Sequence, residues 1–194
     1  MFEYQAGQTP LDPEQISGLK IKTIATQQQL NEFEQANINE ALIWLTSKRK
    51  IKNLLSEKFI IQVHQRMFGL VWNWAGQFRR TETNLGVDWT KISVELRQLV
   101  ADVDFWVEHH TYLPDEIAIR FKHRLVSIHC FPNGNGRHSR LMADLIIQHL
   151  FGLKKFTWGQ SSLVEPSAQR TVYLKALKLA DKGDYTELME FARS

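Results

Sequence analysis

The sequence predicts a single all-α domain. Apolar residues recur every three to four positions along most of the chain, which is the period of an amphipathic helix. Glycine and proline fall mainly between these periodic segments, and there is no internal repeat or low-complexity tract. A chain of 194 residues with 43% hydrophobic and 23% charged residues can bury one compact core. One break, residues 75–88, is rich in glycine, threonine and asparagine and predicts a small β-hairpin.

Each helix has a local signal. Residues 1–25 are mixed in character, so we expect an extended lead-in to a helical domain that spans residues 26–194. Thr26 and Ser56 are suitable N-caps, because a hydroxyl can accept a hydrogen bond from the first helical turn. Pro114 suits the first turn of a later helix. The apolar periods predict helices over residues 27–47, 57–70, 90–110, 114–128, 136–150, 166–181 and 184–192.

The most informative segment runs from His129 to Arg140 and reads His-Cys-Phe-Pro-Asn-Gly-Asn-Gly-Arg-His-Ser-Arg. A Gly-Asn-Gly turn that opens into a helix presents free N–H groups and the positive end of the helix dipole, which together can bind an anion. Arg137 and Arg140 share one helix face and carry forked donors for phosphate oxygens. His129, before the turn, is a candidate proton acceptor. The pattern predicts a base beside a polyphosphate site, although each part alone is more often structural.

This segment resembles the signature H-x-F-x-[D/E]-G-N-G-R-x-x-R of the Fic/Doc family, with Asn133 in place of the acidic residue. Residues 74–81 resemble the hairpin that precedes the signature in that family, and residues 180–188 resemble its closing helices. The Pro-Asn-Gly-Asn-Gly-Arg-His variant, with the segments 9–13 and 192–194, is most similar to a bacterial subgroup labelled mobile mystery protein B. The resemblance implies an all-α Fic-type domain with a small β-hairpin flap.

The family resemblance also implies an activity, protein adenylylation (AMPylation). His129 would deprotonate a Tyr, Ser or Thr hydroxyl of a target protein, and the oxygen would attack the α-phosphate of ATP. Phe131 would anchor the loop. The residues that would hold the nucleotide phosphates are Asn133, Gly134, Asn135, Gly136, Arg137 and Arg140. The flap residues that would hold the target segment as an added strand are Gly76, Phe78, Arg79 and Thr81.

Asn133 leaves the role of a metal open. In the family, the acidic residue at this position binds the Mg²⁺ that bridges the phosphates. An amide oxygen can ligate Mg²⁺ but carries no charge, and Mg²⁺ is usually held by carboxylates and substrate phosphates. The alternatives are slow metal-assisted transfer, altered donor chemistry and an inactive nucleotide binder, or Asn133 simply supports the turn.

Glu40 is a candidate internal inhibitor. Many Fic proteins carry an inhibitory helix of the form [S/T]-x-x-x-E-[G/N], whose glutamate pairs with the second arginine of the signature, here Arg140. Residues 36–41 resemble this pattern only in part, because alanine stands on both sides of the motif. Glu40 is therefore either an inhibitor that blocks the γ-phosphate site or an ordinary surface residue.

Composition limits the remaining partners. The net charge of +3 does not indicate nucleic-acid binding, and no apolar stretch reaches the roughly 18–20 residues of a membrane span. A single cysteine, Cys130, suits a reducing compartment and is more typical of a small buried filler than of a nucleophile. We expect a cytoplasmic protein. Alternative functions are a toxin that uses phosphoryl transfer and pairs with an antitoxin, and a catalytically weak adaptor that binds a nucleotide or a peptide. A homo-oligomer is a further alternative.

Overall fold

The computed structural model describes residues 16–48, 51–159 and 166–194. Helices dominate these ranges, as the sequence predicts. The helices are α1 (Gln27–Thr46), α2 (Glu57–Phe68), α3 (Ile92–Glu108), α4 (Pro114–Ile128), α5 (Asn135–His149), α6 (Pro166–Ala180) and α7 (Thr186–Arg193), with a short 3₁₀ turn at Trp89–Lys91. The predicted lead-in lies largely outside the described residues.

The predicted helix starts are confirmed. Thr26 forms a capping box with Gln29: its hydroxyl accepts from the Gln29 N–H at 3.2 Å, and the Gln29 side chain accepts from the Thr26 N–H at 3.2 Å. The Ser56 hydroxyl accepts from the Phe59 N–H at 3.2 Å and starts α2. Pro114 occupies the first turn of α4, where its missing N–H would have no helical partner.

Helix α4 lies at the centre of the fold. It packs against α3, α5 and α7, while α2 packs against α1 and α5. Ile117, Phe121 and Leu125 form the predicted buried face of α4 and are almost fully inaccessible to solvent. Because α4 and α5 are both held in this core, the loop that joins them is fixed at both ends. None of the helices described here is long and apolar enough to cross a membrane.

The predicted β-hairpin at residues 75–88 is wrong. This segment consists of turns and bends, and the described part of the chain contains one isolated β-bridge, between Leu19 and Trp72. Backbone groups of the segment pair with the chain after α4 instead of with each other: Arg79 N–H donates to the Cys130 carbonyl at 3.0 Å and Val87 N–H to the Ile128 carbonyl at 3.4 Å. The segment is therefore a loop attached to the end of α4.

Candidate active site

The turn before α5 leaves backbone donors for a ligand. Gly134 is the N-cap residue of α5 and has a left-handed φ of 79°, and no side chain caps the helix. A Cβ at Gly134 would lie 2.6 Å from the Phe68 ring, so both conformation and space require glycine there. The first intrahelical bond of α5 runs from His138 N–H to the Gly134 carbonyl at 2.9 Å. The N–H groups of residues 135–137 thus precede the helical ladder and point along the positive end of the dipole.

Asn135 differs from its predicted role as a phosphate ligand. Its side chain is buried and bridges the two backbone groups of Phe131, with distances of 3.0 Å from the Phe131 N–H and 2.7 Å to the Phe131 carbonyl. Only the backbone N–H of Asn135 therefore remains in the predicted role. Gly136 has a helical conformation that any residue can adopt, and no heavy atom lies within 4 Å of the position a Cβ would take. The absence of a side chain therefore leaves open space beside the helix.

A histidine that the sequence analysis did not single out supports the loop from beneath. His64, on α2, is fully buried; its Nε2 lies 3.0 Å from the Asn133 carbonyl and its Nδ1 accepts from Gly76 N–H at 3.0 Å. Because one nitrogen faces an acceptor and the other a donor, the ring is held neutral in one tautomer. Phe131, fully buried as predicted, stacks on this ring at 3.7 Å between centroids. Burial, together with the charges of His138 and Arg137, holds the pKa of His64 well below its usual value.

His129 ends α4 in the left-handed conformation, with φ 56° and ψ 58°. Its Nδ1 lies 3.3 Å from the Val126 carbonyl, which can only accept, so Nδ1 carries the proton and the lone pair of the neutral ring is on Nε2. Burial lowers the pKa of His129 to about 4, the Val126 carbonyl opposes this shift, and Arg79 adds to it. The C-terminal end of the α4 dipole favours the protonated ring, but desolvation outweighs this effect.

Arg137 is already paired. Its Nη1 lies 2.7 Å from Oε2 of Glu34 on α1, while Oε1 of the same carboxylate accepts from Trp72 Nε1 at 2.7 Å. Glu34 is buried. Glu40, which the sequence left as either an inhibitor paired with Arg140 or a surface residue, is exposed and lines a separate groove between α1 and α2, as the second alternative expects. The carboxylate of α1 that enters the site is Glu34.

Arg140 lies one turn further along α5. Its Nε donates to the Gly136 carbonyl at 3.3 Å, and its guanidinium carbon lies 5.5 Å from the centre of the Tyr173 ring on α6. The Tyr173 hydroxyl accepts from Nζ of Lys122, a fully buried residue of α4. Burial lowers the pKa of Lys122 well below its usual value, and the positive charge of Arg140 lowers it further.

These groups line one cleft of about 930 Å³. His129, the turn at residues 133–136 and both arginines share this cleft, as predicted from the signature. Its far wall, which the sequence analysis did not identify, comes from α6 and includes Tyr173. A cleft of this size is in the range of small-molecule sites.

Asn133 also lines the cleft, but its amide oxygen accepts a hydrogen bond from the Gly134 N–H. In the described part of the chain, no group of three or more histidine, cysteine, aspartate or glutamate side chains could hold a metal ion. One neutral oxygen, already engaged within the turn, fits poorly with a Mg²⁺ ion held by the protein.

The predicted flap residues divide into two groups. Thr81 is exposed at the outer part of the loop. Arg79 is buried and bound internally, so it does not present itself to a target. Gly76 has a φ of 77° and donates to His64, while Phe78 lies 5.8 Å from Phe131 between ring centroids. Gly76, Phe78 and Arg79 therefore attach the loop to the fold.

Cys130 is fully buried, as predicted for a small filler. Burial raises the pKa of its thiol to about 12. A thiol that stays protonated is a poor nucleophile.

This chain was compared with a protein-family model, with named proteins and with solved structures. The sequence model of the Fic/DOC family matches residues 54–147. Proteins named "Protein adenylyltransferase Fic" from Drosophila grimshawi and Drosophila melanogaster are 30% and 31% identical over 138 residues, which is 69% of this chain. The chain spans only 27% and 26% of the length of these two relatives.

Solved structures show the same fold. The N-terminal FIC domain of Bep8 from Bartonella sp. 1-1C superposes with a TM-score of 0.71 at 16% identity, covering 91% of this chain and 90% of that one. BepC from Bartonella tribocorum, solved with bound AMPPNP, gives 0.69 at 16% identity, covering 94% and 97%. Fic-1 from C. elegans gives 0.61 at 24% identity, covering 91% of this chain and 50% of that one. The family model and the Drosophila relatives show that the chain carries a domain of the Fic/DOC family, and the solved structures show the fold of that domain.

Proposed function

We propose that the protein is an adenylyltransferase that transfers AMP from ATP to a hydroxyl side chain of a target protein. One observation carries the proposal: His129, with its lone pair on Nε2, shares a cleft with the uncapped N-terminus of α5 and with Arg137 and Arg140. A base and a polyphosphate site in one cleft are what nucleotidyl transfer to a hydroxyl requires. The activity named for the Drosophila relatives supports the same reaction.

In the proposed reaction, the target hydroxyl gives its proton to Nε2 of His129, and its oxygen attacks the α-phosphorus of ATP. The bond between the α-phosphorus and the bridging oxygen breaks, and pyrophosphate leaves with the electron pair. The N–H groups of residues 135–137 and the two arginines stabilise the charge that develops on the phosphate oxygens. The AMPPNP bound to BepC, a protein of the same fold, supports ATP as the donor.

Mg²⁺ is proposed to arrive with the phosphates of ATP rather than to be held by the protein. The Asn133 amide is the side chain of the turn that would contact the ion, through an uncharged oxygen that already accepts from the Gly134 N–H. When bound, the ion would neutralise phosphate charge. The residues of this chain bind and orient the phosphates and remove the proton.

A second candidate, a nucleotide binder with weak transfer activity, is favoured by the Glu34–Arg137 pair and by the neutral Asn133. The ion pair neutralises Arg137, and the amide attracts less of the Mg²⁺ that would neutralise phosphate charge. A toxin that uses phosphoryl transfer under the control of an antitoxin, a homo-oligomer and membership of the mobile mystery protein B subgroup stay predictions from the sequence. So does the choice among Tyr, Ser and Thr in the target.

Replacement of His129 tests the proposal. His129→Ala should reduce transfer at least a hundredfold, because it removes the base, and should leave the ATP dissociation constant nearly unchanged, because the phosphate donors remain. The measurement is mass spectrometry of a cell lysate incubated with the protein and ATP, with calorimetry for binding. An AMP adduct supports the proposal, whereas a phosphate adduct supports the kinase-like toxin. Equal transfer by the variant and the wild type would remove His129 from the reaction.

A further inference from the structure

We infer that Arg79 is the positioning residue of His129: its guanidinium fixes the backbone that carries the base and the loop that covers it. The inference rests on the proposed function. It assigns Arg79 a role different from the target binding predicted from the sequence.

The hydrogen bonds of Arg79 join two separate segments. Toward α4, Nε donates to the His129 carbonyl at 2.7 Å, Nη2 lies 3.5 Å from the Ile128 carbonyl, and the backbone N–H donates to the Cys130 carbonyl at 3.0 Å. Toward the loop, Nη1 donates to the Thr81 carbonyl at 3.0 Å and Nη2 to the Val87 carbonyl. The side chain thus contacts the carbonyl groups of the two peptide bonds that precede and follow His129.

This contact matters because His129 adopts a conformation that non-glycine residues rarely take. A left-handed residue at the end of a helix turns the chain sharply and leaves the last carbonyls without helical donors. The rigid, planar guanidinium of Arg79 reaches one of these carbonyls, that of Ile128, together with the Val87 N–H, and it also reaches the carbonyl of His129 itself. Lysine has a single donor centre and cannot reach the same set of acceptors together.

Gly86 shows how closely the loop packs on the pair. A Cβ at Gly86 would lie 2.6 Å from Nη2 of Arg79 and 2.7 Å from Cβ of His129. Its φ of 112° is also unfavourable for other residues. The loop therefore covers His129 directly, and its position depends on the guanidinium beneath it.

The charge of Arg79 acts on His129 as well. Arg79 contributes to the lowered pKa of the imidazole, after burial, so removal of the cation should raise that pKa. The ionisable groups that face Arg79 are Glu82 and Asp88 on its own loop and the Cys130 thiol after α4. The Val126 carbonyl of α4 acts in the opposite direction to Arg79 on His129.

Two variants separate the geometry from the charge. Arg79→Lys keeps the cation but loses the fork, and Arg79→Gln loses both; Arg80→Gln, at the exposed neighbour, is the matched control. Both Arg79 variants should lower kcat for transfer roughly tenfold or more, while the ATP dissociation constant stays within about twofold, because Arg79 does not contact the phosphate turn. A residue that only stabilised the fold would lower the melting temperature without this division between kcat and ATP binding.

NMR titration of the ¹³C-labelled His129 imidazole supplies a readout that needs no activity. Arg79→Gln should raise the pKa of His129 above the wild-type value of about 4, and Arg79→Lys should change it less. An unchanged kcat together with an unchanged titration in folded variants would overturn the inference. If the wild type itself shows no transfer, the proposed function fails, and the titration alone decides whether Arg79 is coupled to His129.

Gly86→Ala decides the case if the Arg79 variants do not fold. The loop at residues 80–86 is largely exposed, so this change should leave the core folded and displace the loop from Arg79 and His129. A lower kcat with unchanged ATP affinity supports the inference. Wild-type kcat in Gly86→Ala would overturn it.

Discussion

At the scale of single residues, the chemistry of the cleft depends on His129 and Asn133. The pKa of His129 is lowered to about 4, so the ring is neutral and able to accept a proton throughout the physiological range. The cost is weaker basicity, since a group with a low pKa holds a proton less tightly. Asn133 brings an amide where a carboxylate would bring a negative charge, which limits the attraction of the site for a cation.

Asn133→Asp should strengthen the dependence on Mg²⁺. A carboxylate at this position adds a charged oxygen beside the phosphates, so the Mg²⁺ concentration for half-maximal transfer should fall on the order of tenfold and the rate should rise. The measurement is the initial rate of transfer as Mg²⁺ is titrated at saturating ATP. Asn133→Ala is the control, which removes the oxygen altogether. Identical Mg²⁺ curves for the wild type and Asn133→Asp would exclude a metal role for this position.

Residue roles were predictable where the partner is close in the sequence. Thr26, Ser56 and Pro114 act within one helical turn, and the structure confirms all three. The side chains of Asn135 and Arg79 make contacts that the sequence did not predict, because their partners are set by the path of the folded chain: Asn135 turns inward to Phe131, and Arg79 reaches the end of α4 fifty positions away. Composition and spacing carry no signal for such contacts.

At the scale of elements, α1 brings a carboxylate, Glu34, to the proposed phosphate site. Glu34 and Glu40 lie on the same helix, but six residues at about 100° each place Glu40 about 240° around the axis from Glu34. The sequence pattern around Glu40 matched an inhibitory motif without showing which face of α1 points at the cleft. That face is defined by the packing of α1 against α2, which involves residues distant in sequence.

Glu34→Gln should raise the affinity for ATP. The amide keeps an acceptor for Trp72 but no longer neutralises Arg137, so the arginine becomes available to a phosphate. We expect roughly a three- to tenfold lower ATP dissociation constant, measured by calorimetry, with a parallel rise in transfer. Glu40→Gln is the matched control on the same helix, outside the cleft, and should change neither quantity.

The double variant Glu34→Gln/Arg137→Ala should lose the increase in ATP affinity, since that increase depends on the arginine that Glu34→Gln releases. Arg137→Ala alone should also destabilise the protein, because it leaves the buried Glu34 carboxylate without its cation. A Glu34→Gln protein that binds ATP as the wild type does would show that the ion pair places no limit on the site.

His64 connects two further elements, α2 and the turn before α5. His64→Phe keeps the ring that stacks on Phe131 but removes both hydrogen bonds, leaving the Asn133 carbonyl and the Gly76 N–H without this partner. Stability should fall by about 2–4 kcal/mol in urea unfolding, and ATP binding should weaken because the turn loses its support. Wild-type ATP affinity in the folded variant would show that His64 stabilises the core without ordering the turn.

At the scale of the whole molecule, the all-α architecture followed from sequence period, whereas the shape of the cleft did not. The helix bounds depend on local patterns and differ from the predicted ones by only a few residues. The cleft depends on how α1, α4, α5 and α6 pack, and its far wall at Tyr173 had no signal in the sequence. The packing also buries an unusual set of ionisable groups, among them His64, His123, His129 and His138.

These histidines should make the fold sensitive to acid. Burial lowers the pKa of each: to about 4 for His129 and His138, well below the usual value for His64, and below the usual value for His123. Because an unfolded histidine titrates near 6.5, the unfolded state binds more protons than the folded state between about pH 6.5 and 4. Stability is therefore fully present above about pH 6.5 and is lost progressively as the pH falls toward 4.

Asp144, which is half-buried, acts in the opposite direction. Burial raises the pKa of Asp144 to about 6, so below that pH the folded state retains a proton that the unfolded state releases, which adds stability. The stability that Asp144 adds between pH 7 and pH 4 offsets the loss from about one histidine. The lowered pKa of His138, which is fully buried, alone removes about 3 kcal/mol from the free energy of unfolding as the pH falls to 4. The net change should therefore be a loss of at least about 3 kcal/mol between pH 7 and pH 4.

Urea unfolding at several pH values measures this loss directly. His138→Gln should be less stable than the wild type at pH 7 but should show a shallower decline toward pH 4, because it no longer takes up a proton on unfolding. His109→Gln, at an exposed position, should keep the slope of the wild type. A wild-type free energy of unfolding that is constant from pH 7 to pH 4.5 would contradict the neutral burial of these rings. It would also remove the physical basis for a His129 that is ready to accept a proton throughout that range.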